Sequence, residues 1–225
     1  HYHLAMLLRK DDDPSLAKKH FFKALEINPE YAIAYYELAH HSENNGDINE
    51  AKIHFQKATD VDQNYVDAYF NLARILTSPS EHDQAVRNYE TALEINPEMA
   101  DCHYWFAKLL TTGERLSNDG TLLKEPKIDD AKKHFTRAID IDPKFAKAYY
   151  RLGLLLYHNK DYSNALHNFE KAITLDPTFS KAHYSLAVLL MDKNAKELVQ
   201  KGTQAEKKKK TRSVRKKHRV KNQAN

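Results

Sequence analysis

A short phrase recurs along this chain and constrains it more than any other feature: Ala24-Leu25-Glu26-Ile27-Asn28-Pro29, then Ala92-Leu93-Glu94-Ile95-Asn96-Pro97, Ala138-Ile139-Asp140-Ile141-Asp142-Pro143 and Ala172-Ile173-Thr174-Leu175-Asp176-Pro177. A degenerate copy, Ala58-Thr59-Asp60-Val61-Asp62-Gln63, fills the gap between the first two, at a common period of roughly 34 residues. A unit of that size cannot bury an apolar face by itself. Each must lean on the next, so the period predicts a stacked all-α solenoid with an extended surface suited to binding other macromolecules.

Five glycines and seven prolines in 225 residues agree with a nearly all-helical chain punctuated at unit boundaries. The lone Cys102 has no partner for an intramolecular disulfide, which points to an intracellular location, cytoplasmic or nuclear. No apolar run approaches the roughly 18 residues of a membrane span, and no signal-peptide pattern is present. The chain opens at His1 inside a helical pattern, which reads as the continuation of something upstream. The formal charge of +4 hides an asymmetry: Lys207 to Lys221 holds about ten Lys and Arg and no acid, leaving the remainder near −6.

Aligned on the boundary prolines, each unit has a first helix, A, with a large residue followed by a Leu-small pair. Tyr35, Leu38 and Ala39 begin the series, continued by Tyr69, Leu72 and Ala73, by His103, Phe106 and Ala107, and by Tyr149, Leu152 and Gly153. Spacings of three and four place these on one face. The second helix, B, answers with Ala51, Phe55 and Ala58, with Ala85, Tyr89 and Ala92, with Ala131, Phe135 and Ala138, and with Ala165, Phe169 and Ala172, so that small and large side chains interdigitate. Over about Tyr2 to Met191 this pattern resembles the tetratricopeptide repeat family, which implies an all-α, right-handed solenoid of antiparallel helix pairs with a concave face lined mainly by helix A.

The resemblance implies about five repeats, at about 1–31, 32–65, 66–99, 100–145 and 146–179, with a loop insertion at 112–128 and a further helix at 180–193, all within a solenoid spanning 1–193. A short capping helix or linker is expected at 194–206 and a basic tail at 207–225. On the concave face one stripe carries Tyr2, Tyr36, Phe70, Tyr104, Tyr150 and Tyr184, which either anchor a partner or pad adjacent helices. Neighbouring positions vary along the array and discriminate better. Arg74, Trp105 and Lys108 belong to a mixed polar surface, while Lys147, Arg151, Leu154, Tyr157, Lys181 and Val188 combine apolar area with positive charge. That second set favours a peptide with large apolar residues and a few carboxylates. In the insertion, Leu116, Leu122 and Leu123 are candidate contacts, set against a merely tolerated loop.

Two family ligand patterns are incomplete here. Of the lysine, arginine and asparagine set that holds a terminal carboxylate, only Lys147 and Arg151 match, and an asparagine ladder is replaced by Glu37, Asn71, Trp105, Arg151 and Ser185. In the tail, Lys207, Lys208, Lys209, Lys210, Arg212, Arg215, Lys216, Lys217, Arg219 and Lys221 are candidates for a polyanion, an acidic protein surface or an import receptor, with a solubilising role as the alternative.

Nothing in the sequence calls for a cofactor, a metal or a catalytic residue: His20, His54 and His134 recur because the repeat recurs. The expected function is a non-catalytic scaffold or adaptor that holds a protein or peptide partner, or serves as a subunit of a larger assembly. Two alternatives stand beside it: a nucleoprotein component whose tail binds RNA or DNA, and the recognition half of an enzyme whose catalytic domain precedes His1. Self-association through the first repeat is a further option.

Overall fold

The computed structural model describes residues 1–10, 14–112 and 127–192. Among the described residues there are eleven α-helices and no strand: α1 Tyr2–Lys10, α2 Pro14–Ile27, α3 Ala32–Asn44, α4 Ile48–Val61, α5 Val66–Ile75, α6 His82–Ile95, α7 Ala100–Thr111, α8 Ile128–Ile141, α9 Ala146–His158, α10 Tyr162–Leu175 and α11 Ser180–Met191. The chain divides into two compact units between Lys127 and Ile128. In the first, α1 packs on α2, α3 on α4 and α5 on α6, and each pair packs on the next, with α7 against α6. In the second, α8 packs on α9, α9 on α10, and α11 on both α10 and α9. This sequential pairing is that of a tetratricopeptide-type solenoid. The insertion contacts Leu116, Leu122 and Leu123, the 194–206 segment and the whole basic tail lie outside the described residues.

Local chemistry explains where helices stop. At every unit boundary the Asn or Asp side chain accepts the backbone N–H two residues on: Asn28 from Glu30, Asp62 from Asn64, Asn96 from Glu98, Asp142 from Lys144 and Asp176 from Thr178, at 2.9 to 3.1 Å. Such an Asx turn gives the backbone an alternative to helix. It explains why the degenerate boundary Asp62-Gln63 ends α4 without a proline. Within two of the units the A-to-B turn uses a left-handed residue, Gly46 at φ 84° and Lys160 at φ 59°. Each is followed by the long bond that closes a Schellman cap, Asp47 N–H to the Ser42 carbonyl and Asp161 N–H to the Leu156 carbonyl, both 2.8 Å.

The core repeats with the sequence. Phe21, Phe55, Tyr89, Phe135 and Phe169 of the B helices are all buried, each flanked by buried alanines one turn away on the same helix. Burial of a ring this size removes enough apolar surface to stabilise by about 2 to 3 kcal/mol. Between repeats a second aromatic contact recurs. Tyr2 meets Tyr31 with ring centroids 5.2 Å apart, Tyr36 meets Tyr65 at 5.0 Å and Tyr150 meets Phe179 at 4.9 Å. The partner in each case is the residue that precedes the next A helix. Ion pairs add to the links between repeats, Lys18 to Glu50 at 3.0 Å and Arg74 to Glu43 at 2.7 Å.

Candidate functional site

The tyrosine stripe spends much of its surface on packing. In the first unit Tyr36 and Phe70 are half-buried and Tyr104 is only 8% exposed. Tyr36 also sits edge-on to His40 at 4.5 Å, and its hydroxyl accepts a bond from the Asn71 amide at 3.3 Å. Burial, with the charges of Asp67 and Glu37, pushes its phenol up to about 12. These rings pad adjacent repeats.

Three polar candidates of the first unit do converge. Arg74 at the end of α5, and Trp105 and Lys108 one turn apart on α7, line a common cavity of about 500 Å³ with Tyr89 and His82 of α6 and the Leu76–Pro79 connection. Lys108 Nζ lies 4.2 Å from the centroid of the Trp105 ring. Both terminal contacts of Arg74 to Glu43 run through one nitrogen, Nη2, at 2.7 and 2.8 Å, while Nε and Nη2 reach the Asn71 carbonyl oxygen at 3.3 and 3.2 Å. The nearby acid Glu81 is engaged elsewhere: it accepts from Lys52 at 2.6 Å and from the Ser78 hydroxyl and backbone N–H. Burial works against the Glu81 carboxylate, yet these bonds hold its carboxyl below the usual range. Reasoning from the stripe alone missed Tyr89 and His82. The available signal was a tyrosine where the other B helices carry phenylalanine.

In the second unit the candidates lie on α9 and α11. Lys147, Lys181 and Tyr184 are exposed, and Arg151, Leu154, Tyr157 and Val188 are half-buried. Tyr150 is half-buried too, its ring held between Phe169 and Phe179. Lys147, Arg151 and Leu154 follow one another at helical spacing on α9, as do Lys181, Tyr184 and Val188 on α11. Neither helix contains an acidic residue. Tyr184 and Met191 stand 73% and 78% exposed, so α11 presents large apolar side chains to solvent. These two helices thus carry apolar and basic candidates and no carboxylate of their own.

Among the described residues no group of three or more His, Cys, Asp or Glu is placed to hold a metal ion, and no helix is long and apolar enough to cross a membrane. Cys102 is fully buried, at the place where other units carry Ala34, Ala68, Ala148 and Ala182. Burial pushes its thiol up to about 12.

Models of the tetratricopeptide repeat match residues 1–31, 32–65 and 146–179, and a model described as regulator of microtubule dynamics protein 1-3 matches 82–161. No curated protein sequence matches the chain. Solved structures are similar in fold. YrrB, described as a repeat protein with an unusual peptide-binding site, is 24% identical with a TM-score of 0.65, over 82% of this chain and 89% of that one. MamA from Desulfovibrio magneticus RS-1 is 18% identical with a TM-score of 0.64, over 79% and 93%. PilW, described as a type IV pilus biogenesis factor, is 16% identical with a TM-score of 0.67, over 91% and 90%.

Proposed function

From the chain's place in the tetratricopeptide repeat family, whose members typically mediate protein–protein interaction, we propose that this protein is a non-catalytic scaffold that holds an acidic, apolar segment of a partner against α9 and α11. The observation that carries the reading is the acid-free face of those two helices, with Lys147, Arg151 and Lys181 beside exposed Tyr184 and Met191. Exposed aromatic and aliphatic side chains supply the area that drives association, and uncompensated lysine and arginine select the sign of the partner and fix its orientation. The partner segment buries Tyr184 and Val188 under its own large side chains and sets its carboxylates against Lys147 and Lys181. The description of YrrB as a peptide-binding repeat protein is in keeping with this use of the fold.

The test is the affinity of a peptide alternating Glu or Asp with Leu or Phe for the full chain and for two variants. Tyr184→Ala removes an anchor, and truncating such a residue costs about tenfold or more in affinity. Lys147→Glu with Lys181→Glu reverses the charge and turns preference toward a basic peptide of the same apolar pattern. Equal binding by all three proteins contradicts the proposal.

A further inference from the structure

The cavity of the first unit has a local cause. Helix α3 runs for 13 residues before its A-to-B turn, and α9 for 13, but α5 stops after 10. Leu76 is extended, at φ −77° and ψ 90°, and the chain then makes a 3₁₀ turn over Pro79–Glu81 before α6 begins. Proline at position 79 starts that turn, and the Ser78–Glu81 capping box fixes it. The missing last turn of α5 leaves the space that Arg74, Tyr89, Trp105 and Lys108 surround.

What lines the space is rich in donors and poor in acceptors. Among the described residues Arg74 Nη1 makes no bond, since Glu43 and Asn71 engage only Nε and Nη2. Tyr89 is 2% exposed, its hydroxyl has no hydrogen-bond partner among the described residues, and at the same place the other B helices carry Phe21, Phe55, Phe135 and Phe169. The cavity that Tyr89 lines is where a partner for this hydroxyl can sit. His82 and Lys108 add a ring N–H and an ammonium, the latter held against Trp105. No acidic side chain is among the described lining residues, and the walls are completed by Leu76, Pro79 and Leu109.

We propose that this cavity binds an anionic group, a carboxylate or phosphate, carried on a small molecule or on a residue of a bound polypeptide. Arg74 Nη1 and the Tyr89 hydroxyl donate to the anion, Lys108 supplies charge, and the aliphatic walls take the body that bears it. Charge-assisted bonds in a recess are stronger than the same bonds on an open surface. The site is independent of the α9–α11 reading, because none of its residues lies in the second unit.

Trp105 is the single tryptophan of the chain, so its fluorescence reports on this cavity. The full chain is titrated at constant ionic strength with inorganic phosphate, with phenyl phosphate and with a peptide carrying one phosphoserine between leucines, in parallel with calorimetry. The expected result is saturable binding in at least one arm, weakened about threefold by Tyr89→Phe and tenfold or more by Arg74→Gln. Tyr89→Phe restores the residue used in the other repeats, and a melting curve confirms that it folds. Saturation by phosphate or phenyl phosphate identifies a free anion as sufficient, and saturation by the peptide alone assigns the anion to a polypeptide. Failure to saturate in every arm overturns the proposal, as does binding that chloride reproduces or that Tyr89→Phe and Arg74→Gln leave intact.

Discussion

A Cβ at Gly153 would stand 2.8 Å from both Cδ1 and Cε1 of the Phe169 ring. Helix α9 therefore approaches α10 more closely than any side chain at that point permits. The corresponding places in earlier repeats hold Ala39, Ala73 and Ala107, so the small-residue rule of the repeat is carried one step further here. Gly153→Ala forces the fully buried Phe169 ring to move. Overpacking of this kind costs about 1 to 3 kcal/mol, against about 1 kcal/mol gained from helix propensity, so a net loss of roughly 1 kcal/mol is expected in urea denaturation.

Lys160 presents the opposite case. It occupies the left-handed turn position at φ 59° that Gly46 fills at φ 84° in another repeat. A residue with a Cβ pays about 1 kcal/mol for that conformation. Lys160→Gly keeps the Schellman bonds and raises stability by about 0.5 to 1 kcal/mol, read as a higher urea midpoint with an unchanged slope.

His54 makes the fold acid-sensitive. Its ring is 6% exposed, its Nδ1 has no hydrogen-bond partner, and Nε2 lies 3.7 Å from Glu50 Oε1. Burial, aided by the charges of Lys57 and Lys18 and opposed by Glu50, lowers its pKa from 6.5. The unfolded chain thus binds a proton that the folded chain refuses, and stability falls as pH drops below about 6.5. His54→Phe removes both the orphan nitrogen and this proton. It flattens the pH dependence of the urea midpoint below about pH 6.5, leaving the share of His41, whose pKa burial also lowers, and raises the midpoint most at the acid end.

Cys102 reacts only when the repeat opens. Its thiol is fully buried and pushed up to about 12, so the thiolate population in the native state is negligible at pH 8. A disulfide reagent added at that pH leaves the native protein unlabelled over the time in which it labels the urea-unfolded chain completely.

The ends of the B helices were legible because they rest on local chemistry: one Asn or Asp side chain and one backbone N–H two residues on. The alternation of Phe55 with Ala51 and Ala58 was legible for a similar reason, since helical spacing alone aligns them. Periodicity placed Tyr36 and Tyr104 on the inner stripe but could not say how far Tyr65 and neighbouring rings would cover them. Such coverage depends on the distance between repeats. The early end of α5 was missed, although Thr77-Ser78-Pro79 spelled it, because its consequence appears only when α6 and α7 are in place around the gap. Arg74, Trp105 and Lys108 were readable as polar positions, whereas their convergence with Tyr89 and His82 is a property of three packed helices.

The scaffold reading stands or falls on the sign and shape of what α9 and α11 hold. Selection of binders to the full chain from a random peptide library, repeated on the Lys147→Glu, Lys181→Glu variant, measures both at once. The expected pool holds peptides that alternate carboxylates with large apolar residues, lost from the variant's pool and replaced there by basic ones. An enriched pool without acidic residues, or the same pool from both proteins, would contradict it.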